Sequence, residues 1–150
     1  MTPTRLDEIM HTKNSNLILA AFLRDPRYPL IHVEFKSPGN LKLLREAVEF
    51  IGFDYKELNL TLCYPTDLEG FFESLPDKPG VIVLSEYDCA NSYIQSLLNY
   101  TALYHEYRIM RTSNTCKTVP VSDKWKFVLM ARPGYWFDST IYSRSFHFSF

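Results

Sequence analysis

The chain of 150 residues is expected to fold as a three-layer α/β sandwich with a mainly parallel five-stranded sheet and an inserted β-hairpin. Three observations lead there. Strand-like apolar runs alternate with amphipathic, helix-like segments along the chain. Val81-Ile82-Val83-Leu84 is apolar without interruption and Trp125–Met130 (WKFVLM) reads as a second buried strand, the pattern of strands covered on both faces. Composition is that of an ordinary globular domain, with 46% apolar and 22% charged residues and no repeat or obvious linker. One domain is therefore expected over residues 1–150, with residues 1–14 as an N-terminal extension.

Each element has a local cause. Asn14-Ser15 can cap a helix through Leu23, with Leu17, Ile18, Ala21 and Phe22 along one stripe, and Asp25-Pro26 stops it. Pro29–Phe35 is strand-like and runs into the turn Ser37-Pro38-Gly39. Asn40 can cap the next helix, where Leu44, Ala47, Val48 and Ile51 form a buried face that Gly52 terminates. Tyr55–Cys63 reads as a strand with Leu58, Leu60 and Leu62 alternating. Pro65-Thr66-Asp67 opens a short helix carrying Leu68, Phe71, Phe72 and Leu75, and Pro76–Gly80 is a turn. Asn91 opens a helix with Ile94, Leu97, Leu98 and Thr101 on one side. Tyr107–Val121 is the hairpin, turning near Ser113-Asn114, and Phe146–Phe150 (FHFSF) alternates as a last strand.

Bulk properties exclude several classes. A formal net charge of −1 exerts no general pull on nucleic acid or anionic membranes. No apolar run is long enough to span a bilayer, and Met1–Ile9 lacks the form of a signal peptide. Cys63, Cys89 and Cys116 are far apart and match neither a disulfide framework nor a zinc knuckle, which suits a reducing, cytoplasmic setting. The sequons at Asn59 and Asn99 are read as chance matches. His11, His32, His105 and His147 show no metal-ligand spacing, and Cys89 has no identifiable base, so no metal, cofactor or catalytic constellation is expected.

In open α/β sheets ligands sit at the carboxyl ends of strands. The first such loop, Lys36-Ser37-Pro38-Gly39-Asn40-Leu41-Lys42-Leu43, occupies the place of a GxxxxGK[ST] phosphate loop. That loop needs glycines to let backbone amides wrap phosphates, a lysine for the terminal phosphates and a hydroxyl for magnesium. Pro38, Gly39 and Lys42 fit. Lys36 and Leu41 stand where glycines belong, and Leu43 where the hydroxyl belongs.

From about Asn16 to Phe150 the sequence resembles the AAA+ ATPase core, a P-loop NTPase fold, and its MoxR-like branch in particular. Leu41–Thr61 looks like the helix and strand after the phosphate loop, and Pro65-Thr66-Asp67-Leu68-Glu69-Gly70 like the Pro-x-Asp-Leu-x-Gly segment that follows. Val81–Ala90 (VIVLSEYDCA) resembles the motif of four apolar residues then Asp-Glu. Ser85 replaces its magnesium-holding Asp, while Glu86 keeps the place of the water-activating Glu. Phe127–Pro133 resembles the sensor strand, with Arg132 in place of the sensor Asn. Ser143-Arg144-Ser145-Phe146 resembles the Arg-Phe segment whose arginine reaches a neighbour's nucleotide, interrupted here by Ser145. The family's helical lid is not expected in this chain. With loop, magnesium ligand, sensor and lid altered together, the resemblance implies a domain that no longer hydrolyses ATP.

The leading expectation is thus a pseudo-ATPase that acts by binding a protein partner, such as an active AAA+ ATPase that it caps or regulates, as a monomer or small oligomer of phage or mobile-element origin. One alternative is weak nucleotide binding with slow hydrolysis using Lys42 and Glu86. Another is a nucleic-acid accessory protein, because Arg108, Arg111, Lys117, Lys124 and Trp125 gather around the hairpin, basic residues interleaved with aromatics. Each has a plainer counterpart: Lys42 as a solvated lysine on an amphipathic helix, Glu86 with Asp88 as a polar turn, and the hairpin as a solvated ribbon.

Overall fold

The computed structural model describes residues 21, 23–25, 30–34, 41–61, 63–112, 114–132, 135 and 146–149. Within them lie β1 (Leu30–Glu34), α1 (Leu41–Phe50), β2 (Asp54–Asn59), α2 (Pro65–Glu73), β3 (Gly80–Ser85), α3 (Ser92–Tyr104), β4 (Glu106–Thr112), β5 (Thr115–Pro120), β6 (Trp125–Met130) and β7 (Phe146–Ser149). Ala21, Leu23 and Arg24 are helical and belong to the helix expected before β1.

Five strands form one sheet in the order β2-β3-β6-β1-β7, every neighbouring pair parallel. β4 and β5 form a separate antiparallel hairpin. The expected three-layer fold with an inserted hairpin is the fold observed. Parallel neighbours require crossovers, and the helices that make them cover both faces of the sheet.

Strand alternation divides the core in two. Ile82, Leu84, Phe127 and Leu129 face one way and pack with Leu68, Phe72, Leu98 and Tyr107. Val81, Val83, Ile31 and Val128 face the other way, against Leu44, Ala47 and Val48 of α1 and against Leu23. All six residues of β3 are buried, as the uninterrupted apolar run predicted.

The caps behave as their residues dictate. Asn91 Oδ1 accepts the Ile94 N–H at 2.9 Å, fixing the start of α3. Pro65 opens α2, and the Asp67 carboxylate accepts the Tyr64 N–H at 2.9 Å. Gly52 ends α1 at φ 75°, a left-handed conformation that suits glycine. The expected strand Tyr55–Cys63 is shorter in fact. Asn59 Oδ1 takes the Thr61 N–H at 2.9 Å, an Asx turn that peels the chain from the sheet just after β2. Leu60 keeps one ladder bond to the Ser85 carbonyl, at 3.0 Å. Among the described residues no helix is long and apolar enough to cross a membrane.

The hairpin is clamped to α2. Tyr107 lies in the core beside Phe72 and its hydroxyl donates to the Pro65 carbonyl at 2.7 Å. Glu69 accepts from Arg111 at 2.6 Å and from Lys117 at 3.0 Å, and Lys117 also reaches Glu73. The Lys117 hydrogen bond holds the Glu69 carboxyl below its ordinary pKa, with the Arg111 charge acting the same way. Glu69→Gln removes the charge both cations share. Amide exchange of β4 and β5 should then speed up several-fold while that of β3 and β6 holds, as followed by hydrogen–deuterium exchange.

Candidate functional site

The carboxyl ends of β3 and β6 carry Ser85 and Arg132, and the amino end of α1 carries Leu41 and Lys42. Ser85 is buried and its hydroxyl donates to the Leu58 carbonyl of β2 at a long 3.5 Å. Its oxygen is directed along the sheet toward β2. Glu86 follows in the left-handed region at φ 56°, ψ 39°, an unfavourable conformation for a residue with a Cβ.

The strained residue opens a turn of 3-10 helix, Tyr87–Cys89, closed by the Cys89 N–H on the Glu86 carbonyl at 2.9 Å. The Cys89 thiol donates to the Glu86 carboxylate at 3.5 Å. Partial desolvation, then that hydrogen bond and the nearby acidic charges, push the pKa of this exposed thiol up, which disfavours the thiolate. Asp88, with a side chain only 9% exposed, faces Arg132 Nε at 3.8 Å. Arg132 thus reaches from β6 back onto the turn after β3.

Donor atoms of Glu86, Asp88 and Cys89 lie within 4.8 Å of one another. Asp88 faces the Arg132 guanidinium, and the Cys89 thiol is bonded to the Glu86 carboxylate, so each member of the trio already has a partner within the protein. A network that no motif announced holds this turn in place. Gln95 Nε2 donates to the Tyr87 carbonyl and to Tyr135 Oη, both at 2.9 Å, Tyr87 bonds Asn99, and the Tyr87 and Tyr135 rings meet edge to face at 6.0 Å. Tyr135 lies 40 residues from Gln95 in the chain, too far for sequence periodicity to link them.

Of the expected phosphate-loop residues, Lys36, Pro38 and Gly39 lie outside the described residues, as does Arg144. Leu43 is helical in α1, and its side chain too lies outside them. Leu41 packs against the core beneath α1. Lys42 is 81% exposed and pairs with Glu46 one helical turn on, at 3.9 Å, the pattern of a solvated amphipathic helix. The described residues therefore bring Ser85, Glu86 and Arg132 to one edge of the sheet but leave Lys42 turned to solvent.

The basic residues of the hairpin region are largely compensated. Arg108 pairs with Glu106 at 3.0 Å and lies over the Tyr100 ring at 4.9 Å. Arg111 and Lys117 are held by α2, and Lys124 pairs with Asp77 at 3.2 Å. Trp125 corrects the sequence expectation of a surface contact. It is 1% exposed, and its indole donates to the Pro76 carbonyl at 3.0 Å, which places it in the core.

No family model matches this sequence, and a search of curated proteins finds no match. Solved structures do match. A point mutant of RuvB from Thermotoga maritima superposes with a TM-score of 0.66 at 18% identity, over 97% of this chain and 47% of that one. The Thermotoga maritima RuvB Holliday junction branch migration motor gives 0.59 at 16% identity, again over 97% of this chain and 47% of that one. NtrX from Brucella abortus, solved in complex with ADP, gives 0.58 at 11% identity, over 97% of this chain and 38% of that one. At such identities the likeness concerns the fold, which is the P-loop NTPase fold of AAA+ type. The chain spans less than half the length of each of these structures.

Proposed function

We propose that this chain is an AAA+-like domain that does not turn over nucleotide and acts by binding another protein, with an active AAA+ ATPase as the partner it caps or regulates. The observation that carries the reading is Ser85. At the strand end where magnesium would need a carboxylate, the side chain is a buried neutral hydroxyl directed at Leu58. Phosphoryl transfer relies on positioned charge, and a neutral group in that place supplies none.

Lys42 and Arg132 add support. The lysine extends into solvent beside Glu46, and the arginine at the sensor position faces Asp88. Nucleic-acid binding by the hairpin draws less support, because Arg111 and Lys117 are matched by Glu69 and Glu73 and Trp125 is buried.

Titration calorimetry of the full chain with Mg-ATP and Mg-ADP should give no saturable heat at millimolar nucleotide, and phosphate release should stay at background. Micromolar binding of either nucleotide would favour a nucleotide-handling protein and sink the proposal. The partner half is tested by affinity capture from the native host with an unrelated protein as control. Specific enrichment of an AAA+ ATPase is expected, and its absence removes that partner.

A further inference from the structure

Among the described residues, Glu86 and His105 hold a positive φ without being glycine. His105 does so as the residue that ends α3, a place where the left-handed conformation is common. Glu86 has no such excuse. It leaves a buried strand and opens a turn, in a conformation that L residues other than glycine, asparagine and aspartate seldom adopt.

The residue after it is fixed from several sides. Tyr87 is 2% exposed, and its hydroxyl bonds Asn99 of α3. Gln95, also on α3, gives its side-chain amide to the Tyr87 carbonyl and to the Tyr135 hydroxyl, while the Tyr135 ring closes edge to face on that of Tyr87. The Tyr135 N–H donates to the Arg132 carbonyl at 3.2 Å, which ties those two residues together. Arg132 itself is 74% exposed and 3.8 Å from Asp88, a contact of the kind that contributes little. The grip on the turn therefore rests on Gln95 and Tyr135. Glu86 stays exposed, with its carboxylate on the Cys89 thiol.

We propose that residues 86–89 form a two-state latch, strained while Gln95 and Tyr135 hold Tyr87, and relaxed, with Glu86 at a negative φ, once Tyr135 is drawn away. A strained residue persists only where its surroundings over-determine it, and such residues collect at switching segments. A contact made on Arg132 or Tyr135 is thereby transmitted to the Glu86 carboxylate and the Cys89 thiol. The latch is a property of this chain alone and holds whether or not the chain binds another ATPase.

Hydrogen–deuterium exchange of the full chain tests it at two amides, Cys89 N–H on the Glu86 carbonyl and Ala90 N–H on the Tyr87 carbonyl. Gln95→Leu should speed both by about tenfold while β3 and β6 hold their protection. Glycine adopts a positive φ without strain, so in a Glu86→Gly chain the same Gln95→Leu change should speed them by less than about twofold. That difference separates a strained latch from a hydrogen bond that is merely structural. Tyr135→Phe, which removes one oxygen, should speed the two amides by about threefold, and it decides alone if Gln95→Leu does not fold. Unchanged exchange at Cys89 and Ala90, an equal acceleration in the Glu86→Gly chain, or a loss of protection spread through β3 and β6 would overturn the latch.

Discussion

Gly80→Ala is expected to destabilise the fold by about 3 kcal/mol, the upper end of what overpacking a core ordinarily costs. Gly80 begins β3, directly opposite Trp125 at the start of β6. A Cβ at Gly80 would lie 2.2 Å from Trp125 Cζ3 and 2.6 Å from two more ring atoms. The indole has nowhere to retreat, since it is buried and tied to the Pro76 carbonyl. The Gly80 N–H also donates to the Lys124 carbonyl at 3.2 Å, so moving the strand start breaks a further contact. Denaturant unfolding measures the loss. Gly70→Ala on the exposed side of α2, where a Cβ meets nothing within 4 Å, is the control and should be neutral or slightly stabilising. Pairing Gly80→Ala with Trp125→Leu should recover part of the loss, a coupling of about 1 kcal/mol or more if the clash is the cause. Equal melts for the native chain and Gly80→Ala would show that β3 and β6 do not meet this way.

Phe127→Ala should cost about 3–5 kcal/mol, the range for deleting a buried aromatic ring. Phe127 is fully buried in the middle of β6, facing Ile82 on one neighbouring strand and Leu30 on the other. Its ring centroid lies 6.3 Å from that of Phe72 and 5.8 Å from that of His105, so α2 and the end of α3 both rest on it. The parallel strands on either side hold the backbone in place and limit how far the site can collapse into the void. Val128→Ala, on the opposite face, removes far less volume and serves as the reference. Thermal and denaturant melts of the two variants should differ several-fold in their effect. Similar losses would contradict the division of the core into two layers.

Much of the fold was legible because its causes are local. The run Val81–Leu84 marks a strand buried on both faces, Asn91 caps α3 through the Ile94 N–H, and Gly52 ends α1 in a left-handed conformation. The end of β2 was missed because Leu58, Leu60 and Leu62 continue the alternation past Asn59, whose side chain stops the strand by bonding the Thr61 N–H. The candidate site was legible in which residues it contains and opaque in what they do. The sequence places Arg132 at the end of β6 but gives no hint that it turns toward Asp88. Arg111 and Lys117 read as a basic cluster because the carboxylate that matches them, Glu69, comes from a helix 42 and 48 residues away. Trp125 was open to two readings, the start of a buried strand and an interface aromatic, and the first holds: hydropathy alone cannot distinguish an indole on a surface from one wedged over Gly80.

The position of β1 has a consequence for biosynthesis. Ile31 hydrogen-bonds alongside Phe127's neighbour Val128 on one side and Phe146 on the other, so an early strand waits for two late ones. While the ribosome is still translating the middle of the chain, β1 has both edges bare. Such delayed long-range pairing slows folding and invites the nascent segment to pair with another copy.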